Sequence, residues 1–175
     1  MPPWKAEPGY GEFVGHVHLA EAEIDRIERW VAAGAPEGEP RDLPTSPVWT
    51  DEWQLGMPGL IAGFPAPFVV PAEEPDFSRT FALPRPVTTL RYVKGLEFRP
   101  GPSGVVHHAN IRIDATGRSR ELVQQASGVG YSGLLPASAV YPDGHFLGWT
   151  PGQVAPLLPK GLAWRLSPGT DLVVE

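Results

Sequence analysis

Two adjacent histidines, His107 and His108, are the residues of this chain best suited to bind one metal ion together. Imidazole nitrogens are common ligands of copper and zinc. The pair lies in Val105–Asp114, where apolar and polar residues alternate as in a half-buried strand. Since neighbouring side chains of a strand point to opposite faces, a regular strand would direct His107 to the core and His108 away from it. Shared binding of one ion therefore requires the backbone to bulge or the strand to end at the pair.

The segment Pro100–Gly104, just before the pair, is rich enough in proline and glycine to supply that distortion. Without it, one histidine belongs to the core and the other to the surface, and the spacing alone leaves this alternative open. His145 is a candidate third ligand, or a group that hydrogen-bonds to a ligand, or a histidine with only local bonds. It follows Tyr141–Gly144, in which Asp143-Gly144 is typical of a turn and not of a catalytic acid.

The composition excludes several classes of protein. With 20 acidic residues against 14 basic ones, the chain lacks the basic surface of a nucleic-acid-binding protein. With no cysteine, it can form neither disulfides nor thiolate metal sites. The 22 prolines and 20 glycines favour short strands joined by turns, while six tryptophans and seven phenylalanines supply apolar bulk for a core. No apolar run is long enough to cross a bilayer, and no secretory signal is visible at the start.

The N-terminal part contains one predicted helix, residues 19–33, with an apolar stripe on one face. Gly34 is placed to end this helix in the left-handed conformation, and residues 35–48 form a proline-rich linker. One amphipathic helix of this length needs a packing partner, and the sequence predicts no second comparable helix. His16 and His18 precede it; they form a possible metal pair on one face of an extended segment, or two loop histidines exposed to solvent.

From residue 49 onwards the pattern is that of short strands separated by turns, which predicts a mainly β fold: an antiparallel β-sandwich, jelly-roll-like, with one N-terminal α-helix. The predicted strands are Trp53–Leu55, Phe68–Val70, Ser78–Leu83, Thr88–Phe98, Val105–Asp114, Gly161–Leu166 and Asp171–Glu175.

An ordered series of motifs in this region resembles the first β-sandwich domain of the copper type II, ascorbate-dependent monooxygenases, the family of peptidylglycine hydroxylating and dopamine monooxygenases. The resemblance covers roughly residues 50–175. The motifs that carry it are Phe77–Pro84, Tyr92–Pro100, Val105–Ala109, Phe146–Gly152 and Leu158–Leu166.

The resemblance implies an oxidoreductase with copper as cofactor. His107 and His108 match two of the three histidines that hold the electron-transfer copper in that family. The third would follow the strand Asp171–Glu175 by one or two residues, and the copper that activates oxygen would use a second sandwich domain. Residues 49–175 are thus expected to be a first domain truncated at its C-terminal end, inactive alone and binding copper weakly through two ligands.

The beginning of the chain resembles the end of a c-type cytochrome domain. The motifs are Met1–Trp4, the helix Ala20–Ala33 and Gly34–Gly38. The resemblance implies that residues 1–34 are a remnant of such a domain and that Met1 is the axial haem ligand in the parent. The alternative is that Met1 is simply the initiator methionine. The parent would be periplasmic or secreted. Its absent parts, an upstream haem-binding segment and the second sandwich domain, would be the partners of this chain, with no nucleic acid and no membrane span.

Two other classes of function stay open. The first is a non-catalytic β-sandwich interaction module in which the histidine pair is incidental. The second is a zinc-dependent hydrolase, which needs three protein ligands and a nearby carboxylate base. Glu97 and Asp114 are the candidates for that base by their proximity in the sequence.

Overall fold

The protein is described here as a computed structural model. The structure describes residues 9, 11, 18–46, 52–64, 66–72, 77–84, 86–101 and 103–175. The chain forms two compact units, Met1–Trp49 and Thr50–Glu175.

The first unit contains helix α1, Glu21–Ala32. The carboxylate of Glu23 accepts a hydrogen bond from the backbone nitrogen of Ala20 at 2.7 Å, which satisfies one of the free donors at the start of the helix. Gly34, at φ 85°, ends the helix, as the sequence predicts. The apolar stripe stays accessible, since Ile27 and Val31 expose 48% and 59% of their surface. Neither this helix nor any other in the described part of the chain has the length and apolar character needed to cross a membrane.

The second unit is built from antiparallel strands, which confirms the mainly β fold with a helix near the N-terminus. The strands in its described part are β1 Phe81–Leu83, β2 Arg91–Val93, β3 Ala109–Asp114, β4 Ala139–Val140, β5 Leu147–Trp149, β6 Trp164–Leu166 and β7 Asp171–Val174. The larger sheet has the order β1-β7-β3-β4, with β5 also paired to β3, and the smaller sheet pairs β2 with β6.

One apolar core joins the two sheets. Leu83, Ile111 and Leu172 of the larger sheet belong to the same buried cluster as Trp164 and Leu166 of the smaller one. Ile111 and Trp164 are each only 2% exposed, and complete burial of such a side chain contributes about 2 kcal/mol. Two sheets sharing one core form the layers of a sandwich.

Several predicted strands are wrong in detail. The strand predicted to start at Val105 begins at Ala109, because Ser103–Val105 forms a 3-10 turn. Residues 53–55 and 68–70 are not strands. Their aromatic side chains pack instead: the ring of Phe68 lies 5.8 Å from that of Phe81, and the guanidinium of Arg99 lies 4.0 Å above the ring of Trp53.

A second helix, α2, spans Arg118–Gln125 and contacts β1 and β7. The sequence did not predict this helix. Gly117 precedes it at φ 79°, a conformation that glycine adopts without steric cost, and lets the chain turn sharply out of β3.

Candidate metal site

The histidine pair lies on the approach to β3. His107 and His108 belong to an irregular segment between the 3-10 turn Ser103–Val105 and the first residue of the strand, Ala109. Both side chains are exposed, whereas Ala109 is buried. The alternation of a regular strand therefore does not apply to the pair, and the division into one core and one surface histidine is not what the structure shows.

The two rings converge on each other. Their Nδ1 atoms are 3.3 Å apart, their centroids are 5.3 Å apart, and their planes cross at 68°. Two metal–nitrogen bonds of about 2.0 Å that span this distance meet at an angle of about 110°, close to the tetrahedral value. The same distance also suits a hydrogen bond in which one Nδ1 donates to the other. The two nitrogens can therefore either bind one metal ion or share one proton.

Strands β5 and β7 pair with β3 on its two edges and lie next to the pair. Ala109 is opposite Trp149 of β5, and Asn110 is opposite Glu175 at the end of β7. Asn110 and Glu175 exchange two backbone hydrogen bonds of 2.8 and 2.9 Å. Since β7 is antiparallel to β3, it runs toward the start of β3 and thus toward the histidines.

His145 lies between the 3-10 turn Pro142–Gly144 and the start of β5. The end of β5, Trp149, is opposite Ala109 next to the pair, whereas its start, Leu147, is opposite Ile111. The Nδ1 atom of the half-buried His145 is 3.3 Å from the carbonyl oxygen of Pro142. The structure thus does not bring His145 to the pair.

Glu97 and Asp114, the candidate bases of a zinc hydrolase, are bound elsewhere. The carboxylate of Glu97 accepts from Arg99 Nε at 2.6 Å and from the backbone nitrogen of Leu55 at 3.3 Å. Asp114 is fully buried at the far end of β3. No group of three histidines or carboxylates that could hold a metal occurs among the residues that the structure describes.

Of the candidates in the N-terminal segment, Met1 and His16 lie outside the described residues. His18, three residues before the start of α1 at Glu21, is exposed. The haem-ligand assignment of Met1 and the His16–His18 metal pair therefore stay predictions.

The structure also reveals a polar network that the sequence did not predict, centred on Asp114. Its carboxylate accepts from the Thr116 hydroxyl at 2.6 Å, from the Thr116 backbone nitrogen at 2.9 Å and from the Ser119 backbone nitrogen at 2.7 Å. Burial by itself raises the pKa of this carboxyl, but the bonds from Thr116 and Ser119 outweigh it and hold the pKa well below its ordinary value. The spacing Asp114-x-Thr116-x-x-Ser119 is the sequence signal of this cap.

A cleft of about 460 Å³ opens beside this network, lined by residues that include Thr116, Gly117 and Arg120. Several donors beside it are already bonded. The nitrogens at the start of α2 donate to Thr116 and Asp114, and Arg120 forms an ion pair of 2.9 Å with the buried Asp171 of β7. These bonds stabilise the start of α2, and the histidine pair remains the better candidate for a site.

Comparisons with protein-family models, with curated proteins and with solved structures found no match to this chain.

Proposed function

We propose that the second unit is a copper-binding module that holds one ion through the Nδ1 atoms of His107 and His108. The parent protein would be a periplasmic or secreted oxidoreductase resembling the copper type II monooxygenases, and the module would carry part of its electron-transfer site. An all-imidazole copper supplies one-electron transfer, and imidazole suits both of its oxidation states. Haem c would belong to the parent alone.

The separation of the two Nδ1 atoms, 3.3 Å, is the observation that carries this proposal. Two metal–nitrogen bonds of about 2.0 Å can span that separation. Both rings are exposed, so an ion can reach them from solvent. Two ligands fix an ion only loosely, and we therefore expect weak binding.

The direction of β7 supports a third ligand from the same side. Val174 is opposite Ile111, and Glu175 bonds to Asn110. If this register continues, a residue one position after Glu175 comes opposite Ala109, and a residue two positions after it comes opposite His108. The resemblance calls for a third histidine at these positions.

A non-catalytic interaction module is the second candidate, and exposed apolar residues favour it. Met57, Ile61 and Val69 expose 92%, 68% and 82% of their surface. Where such residues form one contiguous patch, they are typical of a contact with another protein. In that case the convergence of the histidines would reflect only a hydrogen bond between them.

Titration with Cu(I) against a competing coloured chelator distinguishes the two candidates. We expect His107→Ala to weaken Cu(I) binding about tenfold or more, equivalent to about 1.4 kcal/mol. His145→Ala is the matched control, since its ring bonds to Pro142, and it should leave the affinity unchanged. Equal Cu(I) affinity in the wild type and in His107→Ala would contradict the proposal.

The same titration with Zn(II) tests the choice of metal. A two-imidazole site with no carboxylate or thiolate beside it offers Zn(II) too few ligands for its usual closed tetrahedron, whereas Cu(I) accepts low coordination numbers. We expect a preference for Cu(I) that is lost in both His107→Ala and His108→Ala. Tighter binding of Zn(II), together with hydrolytic activity, would favour the zinc-hydrolase alternative.

A further inference from the structure

A strained dipeptide, Asp143-Gly144, is the only Asp-Gly or Asn-Gly pair in the sequence. It occupies the 3-10 turn Pro142–Gly144 at the surface. Asp143 has φ 47° and ψ 31°, a left-handed conformation that non-glycine residues rarely adopt, and Gly144 follows at φ 78°. Because glycine has no side chain, its backbone nitrogen is the least hindered neighbour that an aspartyl side chain can have.

The carboxylate of Asp143 is held by a single residue, Arg165 of β6. The backbone nitrogen of Arg165 donates to Oδ2 at 2.9 Å, and its guanidinium donates to Oδ1 at 3.1 Å. Each carboxylate oxygen thus has a donor from the same residue, which fixes the side chain toward β6.

From this geometry we propose that Asp143–Gly144 is a latent site of spontaneous isomerisation and that Arg165 keeps it in the normal aspartyl form. The site would take no ligand, and its only co-reactant is water.

Isomerisation proceeds in two steps, the loss of one water molecule and the uptake of another. The Gly144 backbone nitrogen loses its proton to solvent and attacks Cγ of the protonated Asp143 carboxyl, which forms a C–N bond. The bond from Cγ to the hydroxyl oxygen breaks, and that oxygen keeps its proton, takes one from solvent and leaves as water. This closes a five-membered succinimide. Water then opens the ring. Attack at the γ carbonyl restores aspartate, and attack at the α carbonyl gives isoaspartate, in which the backbone passes through the side chain. The water released in the first step equals the water consumed in the second.

The bonds from Arg165 oppose ring closure in two ways. Ring closure expels one carboxylate oxygen and converts the other to a carbonyl, so it disrupts the bonds from Arg165. Hydrogen bonding from the Arg165 side chain also lowers the pKa of the Asp143 carboxyl, and the protonated carboxyl is the form that loses water readily. The guanidinium and the backbone nitrogen of Arg165 both contribute to these effects; Arg165→Gln removes the guanidinium contribution and keeps the backbone donor.

Isomerisation would alter the edge of the smaller sheet. Arg165 is opposite Tyr92 of β2, and its backbone nitrogen is bonded to Asp143. Isoaspartate has an additional backbone methylene and would withdraw the carboxylate from this nitrogen. A free donor on a strand edge is a site for pairing with another chain.

The test compares the wild type with Arg165→Gln and Arg165→Lys during incubation at neutral pH. Isoaspartate at position 143 is quantified by peptide mapping, with chromatographic separation and electron-transfer fragmentation of the peptide that contains it. We expect isoaspartate to form about three-fold to five-fold faster in Arg165→Gln than in the wild type, as befits loss of one surface ion pair. Arg165→Lys, which keeps the charge but not the planar fork, should be intermediate.

Arg91→Gln, which removes the charge of an exposed arginine in β2, is the matched control and should behave like the wild type. Circular dichroism establishes that each variant is folded. The urea-unfolded wild type gives the rate of the unrestrained dipeptide, so the proposal stays testable even if Arg165→Gln unfolds. Native wild type isomerising as fast as the unfolded chain would overturn the proposal, and so would equal rates in folded wild type and folded Arg165→Gln.

Discussion

A histidine appended one or two positions after Glu175 should tighten Cu(I) binding on the order of a hundredfold, equivalent to about 2.7 kcal/mol. The reason is geometric. The register of β7 against β3, fixed by the bonds between Asn110 and Glu175, carries the chain toward His107 and His108. A third imidazole delivered there would convert a two-ligand site into one with a defined shape. Competition titration measures the gain.

Matched chains with alanine in place of the appended histidine are the controls, because they extend β7 without adding a ligand. The gain should also vanish when His107→Ala is combined with the appended histidine. If histidine and alanine extensions bind Cu(I) equally well at both positions, then β7 does not deliver a ligand to the pair and the three-histidine site is wrong.

Asp114→Ala should lower the free energy of unfolding by about 3 kcal/mol. The change removes an acceptor that is fully buried, and it leaves the backbone nitrogens of Thr116 and Ser119 without their partner at the start of α2. Because α2 contacts β1 and β7, the loss extends to the larger sheet. Urea unfolding followed by tryptophan fluorescence measures it. Asp42→Ala, at an exposed carboxylate, is the control and should change stability by less than about 0.5 kcal/mol.

The contribution of Asp114 should also depend on pH in a defined direction. Its pKa is lower in the folded chain than the ordinary value of about 3.9 in the unfolded one. The stabilisation is therefore complete above about pH 4 and is lost as the pH falls through the folded pKa. We expect the stability gap between wild type and Asp114→Ala to narrow steadily in acid below that point. A gap that is independent of pH would show that the carboxylate charge does not contribute.

Much of the fold could be predicted because local patterns and tertiary packing agree. The two-residue period around Ile111 predicts a half-buried strand, and this strand is β3 at the centre of the larger sheet. The helix at 19–33 and its end at Gly34 follow from periodicity and from glycine's tolerance of positive φ. In each case the residues that carry the sequence pattern lie within a few positions of the element that they predict.

What could not be predicted depends on distant partners. Helix α2 has only eight residues, and its cap begins inside the preceding strand, at Asp114, so periodicity alone could not separate them. The convergence of His107 and His108 depends on where β3 begins, and the strand pattern of the sequence extends two residues past the pair to Val105. Residue type and adjacency single out the pair in the sequence, and copper as its metal remains a prediction.

The position of β7 has a consequence for how the protein is made. β7 is the latest of the described strands in chain order, yet it lies in the interior of the larger sheet, between β1 and β3. During synthesis, β1 therefore cannot pair with β7 until Asp171–Val174 has left the ribosome. Contacts between such distant segments slow folding and leave nascent edges open to other chains. We expect the second unit to acquire protease resistance only after these residues have emerged from the exit tunnel.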